Sequence, residues 1–290
     1  ALKDSPWQRF NWRAPFTEEF LAKAKELVDH GNIHGVNVSV AVSPGLSVVY
    51  SSQSDRDAVL VRYKQLSDIG VRHFGLLWDD ISWELNDATD SATYKTTALA
   101  HADFTNAIYE GLKKLDSTAV LTMCPMHYSG RGNEPYLVDI GNNLNAEINL
   151  FWTGRSILSE YLEIFDAEIF EKTTKRYPLY WDNFPVNDGS LRYSLFITPV
   201  MSREKGLDKY SAGLLSNPMT QFEMSQLPLG TIGDYLWDTQ NYEPFDSWER
   251  SLIKMIPNDL DRAALRAMLR CTMNSCVGGD PAPDLRPVFG

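Results

Sequence analysis

The sequence predicts an α/β fold, a parallel sheet wrapped by helices, and three observations carry that reading. Helix-like and strand-like stretches alternate from Thr17 to about Trp237, the rhythm of successive βα units. The strand-like stretches are short continuous apolar runs, as expected when both faces of a parallel strand are buried. With 290 residues, 43% of them apolar, and with eight Trp, thirteen Tyr and thirteen Phe, the chain can offset the entropy of ordering one large core. A closed barrel and a doubly wound sheet both fit.

The elements follow in order. A helix starts at the cap Thr17 and carries Phe20, Leu21, Ala24 and Leu27 at helical spacing. A β-rich run, Val36–Val42, comes next. A helix from Asp55 precedes the strand Arg72–Trp78, a helix from about Ser91 to Leu115 precedes Ala119–Cys124, and a short helix near Pro135–Ile140 precedes Ala146–Trp152. The helix Ser159–Lys175 leads to Tyr177–Trp181. A longer irregular stretch then reaches Ala212–Ser216, followed by the helix Gln221–Trp237. These runs make six strands. From Asn241 the pattern changes to Pro-punctuated segments and a helix over Leu260–Met273 with Leu260, Ala264, Leu265, Met268 and Leu269 as its apolar positions. The expected division is a barrel-like region over 1–240 and the start of a helical region over 241–290, ending in a loose, turn-rich tail.

A net charge of −11 repels phosphate backbones and anionic lipid headgroups, which disfavours nucleic acid and membrane surfaces as partners. Cys124, Cys271 and Cys276 do not make a disulfide framework, and the five-residue spacing of the last two on a helical segment is poor for bridging. No apolar run reaches the ~18 residues of a membrane span, and Ala1-Leu2-Lys3-Asp4 is neither signal peptide nor anchor. Secreted and cytoplasmic locations both fit.

In parallel barrels the reacting groups sit where strands end. The strand ends here read Trp78-Asp79-Asp80, Cys124-Pro125-Met126-His127-Tyr128, Trp152-Thr153-Gly154, Trp181-Asp182-Asn183 and Leu215-Ser216-Asn217-Pro218. Aromatic rings beside amides and carboxylates suit a carbohydrate, whose C–H faces stack while its hydroxyls hydrogen-bond. Adjacent carboxylates resist joint ionisation, so one member becomes an acid and the other a base. An Asp-Asp N-cap or metal pair is the plainer alternative. Metal binding lacks support, because no two histidines stand at a ligand spacing, and no cofactor is implied. His30, His34, His73 and His101 read as ordinary helix or strand-edge residues, and Trp78, Trp83 and Trp152 as packing. His127 is the one histidine at a strand end.

Taken together and in order, these strand ends resemble glycoside hydrolase family 84, the O-GlcNAcase and β-N-acetylglucosaminidase family, across the chain to about Trp248. Lys3-Asp4 resembles the end of the family's Ala-Pro-Lys-Asp-Asp loop, and Ala41-Val42-Ser43-Pro44-Gly45-Leu46 its Ile-Ser-Pro-Gly-Leu strand end. Asp79-Asp80 matches its double aspartate. Cys124-Pro125 with Tyr128, Trp152-Thr153-Gly154, Trp181-Asp182-Asn183 with Asn187-Asp188, and Ser216-Asn217-Pro218 complete the series. The resemblance implies a TIM-type (β/α)8 barrel, of which this chain supplies about strands 3–8. It also implies retaining hydrolysis in which the substrate's own 2-acetamido oxygen attacks the anomeric carbon. Asp79 would then manage the acetamide and Asp80 would be acid and base, its neighbour's charge raising its pKa. Asp188 and Asn217 would hold sugar hydroxyls, Asn183 and Lys3 would line the acetamide and hydroxyl side, and Tyr128 and Trp181 would shape the acetyl pocket. The implied partner is a glycoprotein or glycan bearing N-acetylglucosamine.

Two departures stand out. The family's first-strand Gly-Phe-Tyr-Gly has no counterpart, so a missing N-terminal segment or a second chain is expected to complete the barrel at Val36–Val42 and Ala212–Ser216. Ser5 stands where the family has a second Asp. A catalytically weak or inactive N-acetylglucosamine-binding fragment is the competing expectation. Other substrate-assisted barrel hydrolases use an Asp-Glu pair or a longer acidic motif, against which Asp79-Asp80 argues.

Overall fold

The computed structural model describes residues 9–272, which fall into two compact units. The first takes the chain to Trp152 together with Phe170–Tyr177, and the second takes Thr153–Ile169 and everything from Pro178. The strand order across the chain is its sequence order, and the pairings within each unit are parallel. Such a sheet, with helices between its strands, is consistent with a partial TIM-type barrel.

The first unit is built from α1 (Glu18–Ile33), β1 (Ser39–Val42), α2 (Gln53–Asp68), β2 (His73–Leu77), α3 (Ala88–Thr93), α4 (Thr97–Leu115), β3 (Val120–Cys124), α5 (Pro135–Asn143) and β4 (Asn149–Trp152). Thr17 caps α1 by accepting from the Phe20 amide, as its position ahead of the apolar series predicts. β1 and β2 lie so close that Gly75 faces Ala41, and a Cβ on Gly75 would stand 2.8 Å from that of Ala41. Helix α2 closes over this point, with Tyr63 donating to the Gly75 carbonyl at 2.6 Å. Helix α4 buries a broad face that includes His101, Phe104, Thr105, Ile108 and Leu112. Each fully buried large apolar side chain there (Phe104, Ile108 and Leu112) contributes about 1.5–3 kcal/mol.

A later helix, α6 (Ile164–Thr174), returns its last turns to the first unit. Phe170 stacks on Trp152 with ring centres 4.8 Å apart. Just beyond, Arg176 donates to the carbonyls of Leu144, Asn145 and Ile148.

The second unit holds β5 (Leu179–Asp182), β6 (Gly213–Ser216), α7 (Phe222–Trp237), α8 (Pro244–Met255) and α9 (Asp259–Thr272). β5 and β6 pair with Trp181 opposite Leu215 and Asp182 opposite Ser216. Phe184, Phe196, Ile197, Val200, Met219, Ile232, Tyr235 and Tyr242 form one apolar cluster. Leu227, Trp248, Leu252 and Leu269 form another, tied down by the Trp248 indole N–H on the Ile197 carbonyl.

All six expected strands are present, each shorter than its apolar run. Three expectations about helices change. The stretch Ser91–Leu115 is two helices, because Tyr94 is extended and Thr96 caps a new start by accepting from Leu99. The helix expected from Ser159 begins only at Ile164, since Ser159 is occupied in a turn with Ser156 and Leu162 bridges to Arg203. Between Asn241 and Leu260, where Pro-punctuated segments were expected, α8 starts with Pro244 at its first turn, a place where proline's missing N–H costs nothing. Lys3, the Cys271–Cys276 pair and the turn-rich tail lie outside the described side chains.

Candidate active site

In the first unit the candidate groups follow β2 and β3. Trp78, fully buried, pins the end of β2: its amide donates to the Cys124 carbonyl at 2.9 Å and its indole N–H to Thr105 Oγ1 at 3.1 Å. The chain then bends, leaving Asp79 half-buried and Asp80 exposed. Asp80 has φ +54°, a left-handed conformation uncommon outside glycine that must be held by its surroundings. Two bonds do so: Arg9 donates to the Asp80 carbonyl at 2.7 Å, and the Tyr128 hydroxyl donates to Asp80 Oδ1 at 3.0 Å. The Tyr128 phenol is raised above its ordinary value, first by burial, then by the charge of Asp80 and the bond to it, with Asp79 adding to both. It stays a protonated donor. A pair of adjacent carboxylates with a fixed phenolic donor on one of them is suited to passing a proton and to stabilising positive charge.

His127 lies between Trp83, edge-on at 4.3 Å, and Tyr136, stacked at 5.1 Å. Burial holds its pKa below the usual histidine range, while Glu134 acts the other way. Trp83, expected to be a packing residue, is 59% exposed. Trp78 and Trp152 are fully buried.

The second unit gathers amides at the ends of β5 and β6. Trp181 donates its indole N–H to Asn183 Oδ1 at 3.1 Å, Asn217 Nδ2 donates to the same oxygen at 3.0 Å, and Asn183 Nδ2 donates to the Ile157 carbonyl at 2.8 Å. The Asn217 amide is fixed by the Asp182 carbonyl. Beneath them Asp182 forms a two-pronged ion pair with Arg203 at 2.8 and 2.6 Å, their side chains only 2% and 7% exposed. Asp188 is exposed at the start of a short 3-10 turn. Its neighbour Asn187 is buried and bonded to Ser194, Gln221 and Thr220.

Of the residues singled out in the sequence, the structure brings Asp79, Asp80 and Tyr128 together in one unit, and Trp181, Asn183 and Asn217 together in the other. Asp188 is exposed and makes no side-chain cap bond to the turn that it starts. Sequence reasoning missed Arg9, His101 and Arg203. Arg203 lies in the irregular stretch before β6, where only an arginine against an otherwise uncompensated strand-end Asp182 hinted at a pair.

Parallel βα repeats with polar groups collected at the carboxyl ends of the strands are consistent with a partial TIM-type barrel, a class whose members bind their ligands at that end. A family model described as beta-N-acetylglucosaminidase matches residues 1–270, and the chain belongs to that family of glycoside hydrolases. It is 28% identical over 247 residues to Protein O-GlcNAcase of Rattus norvegicus and equally to that of Mus musculus, covering 83% of this chain. It spans about a quarter, 26%, of the length of those relatives. An O-GlcNAc hydrolase mutant from Thermobaculum terrenum superposes with a TM-score of 0.95 at 32% identity, over 99% of this chain and 62% of that one. The structure of CpGH84B gives 0.86 at 24% identity, over 100% of this chain and 50% of that one, a likeness of fold. These findings favour an enzyme over a binding fragment.

Proposed function

We propose that this chain carries the catalytic machinery of a retaining β-N-acetylglucosaminidase that removes terminal N-acetylglucosamine, from Ser or Thr of proteins or from glycans, through an oxazoline. The observation that carries this reading is the Asp79-Asp80 pair directly after β2 with a phenolic donor on Asp80. The 2-acetamido oxygen attacks the anomeric carbon as the bond to the leaving oxygen breaks. Asp80 gives its proton to that oxygen, and Asp79 accepts from the acetamido N–H and balances the positive oxazoline. Water then attacks the anomeric carbon, Asp80 takes its proton, and the oxazoline reopens with configuration retained.

In the same reading Asn183, Asn217, Asp188 and Lys3 hold the sugar, and Tyr128 and Trp181 enclose the acetyl group. The catalytic region is 1–240, with 241–290 opening a helical region. The strands correspond to about numbers 3–8 of the barrel, and the outer edges of β1 and β6 are paired by strands that the described residues do not supply.

The test is Asp80→Asn on two substrates. A β-N-acetylglucosaminide with a poor leaving group should lose about 10²–10⁴-fold in kcat/KM, and an activated aryl glycoside much less, because a good leaving group needs little protonation. Equal loss on both would sink the acid assignment. Wild-type binding of N-acetylglucosamine without turnover of either substrate would return the binding-fragment reading.

A further inference from the structure

His101 reads in the sequence as an ordinary helix residue, yet it is fully buried on α4 with both ring nitrogens engaged. Nδ1 lies 2.7 Å from the Tyr136 hydroxyl and Nε2 lies 2.9 Å from the Tyr50 hydroxyl. The Tyr136 hydroxyl in turn accepts from the Met126 amide at 3.2 Å, two residues before Tyr128. The imidazole face lies parallel to the Trp78 indole, 5.0 Å away and tilted by 7°, immediately before Asp79. The backbone of the same residue closes the ring of contacts: the His101 carbonyl accepts from Thr105 Oγ1 at 2.6 Å, and that hydroxyl accepts from the Trp78 indole. Tyr50 is itself fixed, its amide donating to Asp90 Oδ2 at 2.8 Å. One imidazole therefore ties together the loop after β1, the end of β2 and the loop after β3.

We propose that His101, through Tyr136 and Trp78, is a positioning residue for the reacting carboxylates, setting where Asp79 and Asp80 stand and how the Tyr128 donor meets Asp80. This rests on the reading of Asp79 and Asp80 as the reacting pair. A neutral imidazole offers one donor and one acceptor, which matches two hydroxyls. Burial pulls the His101 pKa down to about 3 and pushes both phenols up, so the network keeps one charge state across the range in which such an enzyme works. Packing alone would be served as well by phenylalanine. The paired nitrogens are what phenylalanine lacks.

The experiment compares His101→Phe, which keeps a flat ring against Trp78, with His101→Gln, which restores a donor and an acceptor, and with Tyr136→Phe, the smallest cut in the chain to Met126. Folding is checked by circular dichroism, and kinetics are read on a poor and an activated leaving group. His101→Phe and Tyr136→Phe are expected to lose about ten- to a hundredfold in kcat on the poor leaving group, the scale of a small misplacement of a reacting group. KM should stay within about threefold, the activated substrate should suffer less, and the alkaline limb of the pH–rate profile should move. His101→Gln should recover part of the loss. Folded variants that keep the wild-type ratio between substrates and an unmoved limb would overturn the proposal. If His101→Phe does not fold, Tyr136→Phe decides by the same readout. Wild-type protein that cleaves neither substrate would overturn the functional reading instead, and the positioning role with it.

Discussion

Asp80 combines a left-handed backbone with a donated phenolic hydrogen bond, and that bond is made best to the ionised carboxylate. Tyr128→Phe removes it without changing the ring. A hydrogen bond to the charged form of an acid favours that form, so without it the alkaline limb of the pH–rate profile should move up. A limb that stays in place would separate Tyr128 from the acid. The carboxylates and Asn217 were legible because polar residues at the ends of apolar runs are conspicuous. Arg9 was not, since it reaches Asp80 across 71 positions and nothing in its local sequence marks the contact.

Among the elements, α4 carries a group that makes the fold sensitive to acid. Unfolded, the His101 imidazole takes up a proton near 6.5, but folded only near 3. The unfolded chain therefore binds more protons between those values, and stability falls as pH drops through that window. Tyr50 and Tyr136 face the ring and remain neutral there. In His101→Gln the slope of unfolding free energy against pH between about 6.5 and 3 should be shallower than in wild type by up to one proton, measured by urea unfolding. An unchanged slope would mean that the imidazole is protonated in the fold.

The end of β5 depends on a charge pair in the same way. Arg203→Met leaves Asp182 buried without its partner and should cost about 3–5 kcal/mol of unfolding free energy. A loss below 1 kcal/mol would show that Asp182 reaches solvent or another cation. At α5, Gly141 passes so near the Thr173 carbonyl that a Cβ would run into it. Gly141→Ala should cost about 1–3 kcal/mol by the same assay.

Helix and strand order were readable because apolar periodicity is local. The break at Tyr94 was not, since it follows from a hydroxyl that bonds Asp103, a partner on the next helix. The late start of α6 likewise depends on Leu162 meeting Arg203, forty-one positions away in a stretch with no periodicity of its own.

For the molecule as a whole, substrate assistance has a binding signature. A thiazoline that mimics the oxazoline should bind far more tightly than N-acetylglucosamine, because such sites complement the intermediate and transition state. Calorimetry giving comparable affinities would count against that mechanism. The fold class was legible from the βα rhythm, but the division of the chain was not. Residues 170–177 belong with the first unit, through a stacking contact and three carbonyls that no periodicity announces.

That returning segment has a kinetic consequence during synthesis. β1 to β4 are all made by Trp152, yet Trp152 lacks its stacking partner, and the carbonyls of Leu144, Asn145 and Ile148 lack Arg176, until roughly 25 further residues have been added. At about 5–20 residues per second, the nascent first unit waits roughly one to five seconds with its last strand incompletely covered. A pause in translation between Thr153 and Tyr177 is therefore expected to lengthen the interval in which β4 lacks that cover and a chaperone, or another nascent chain, can reach it.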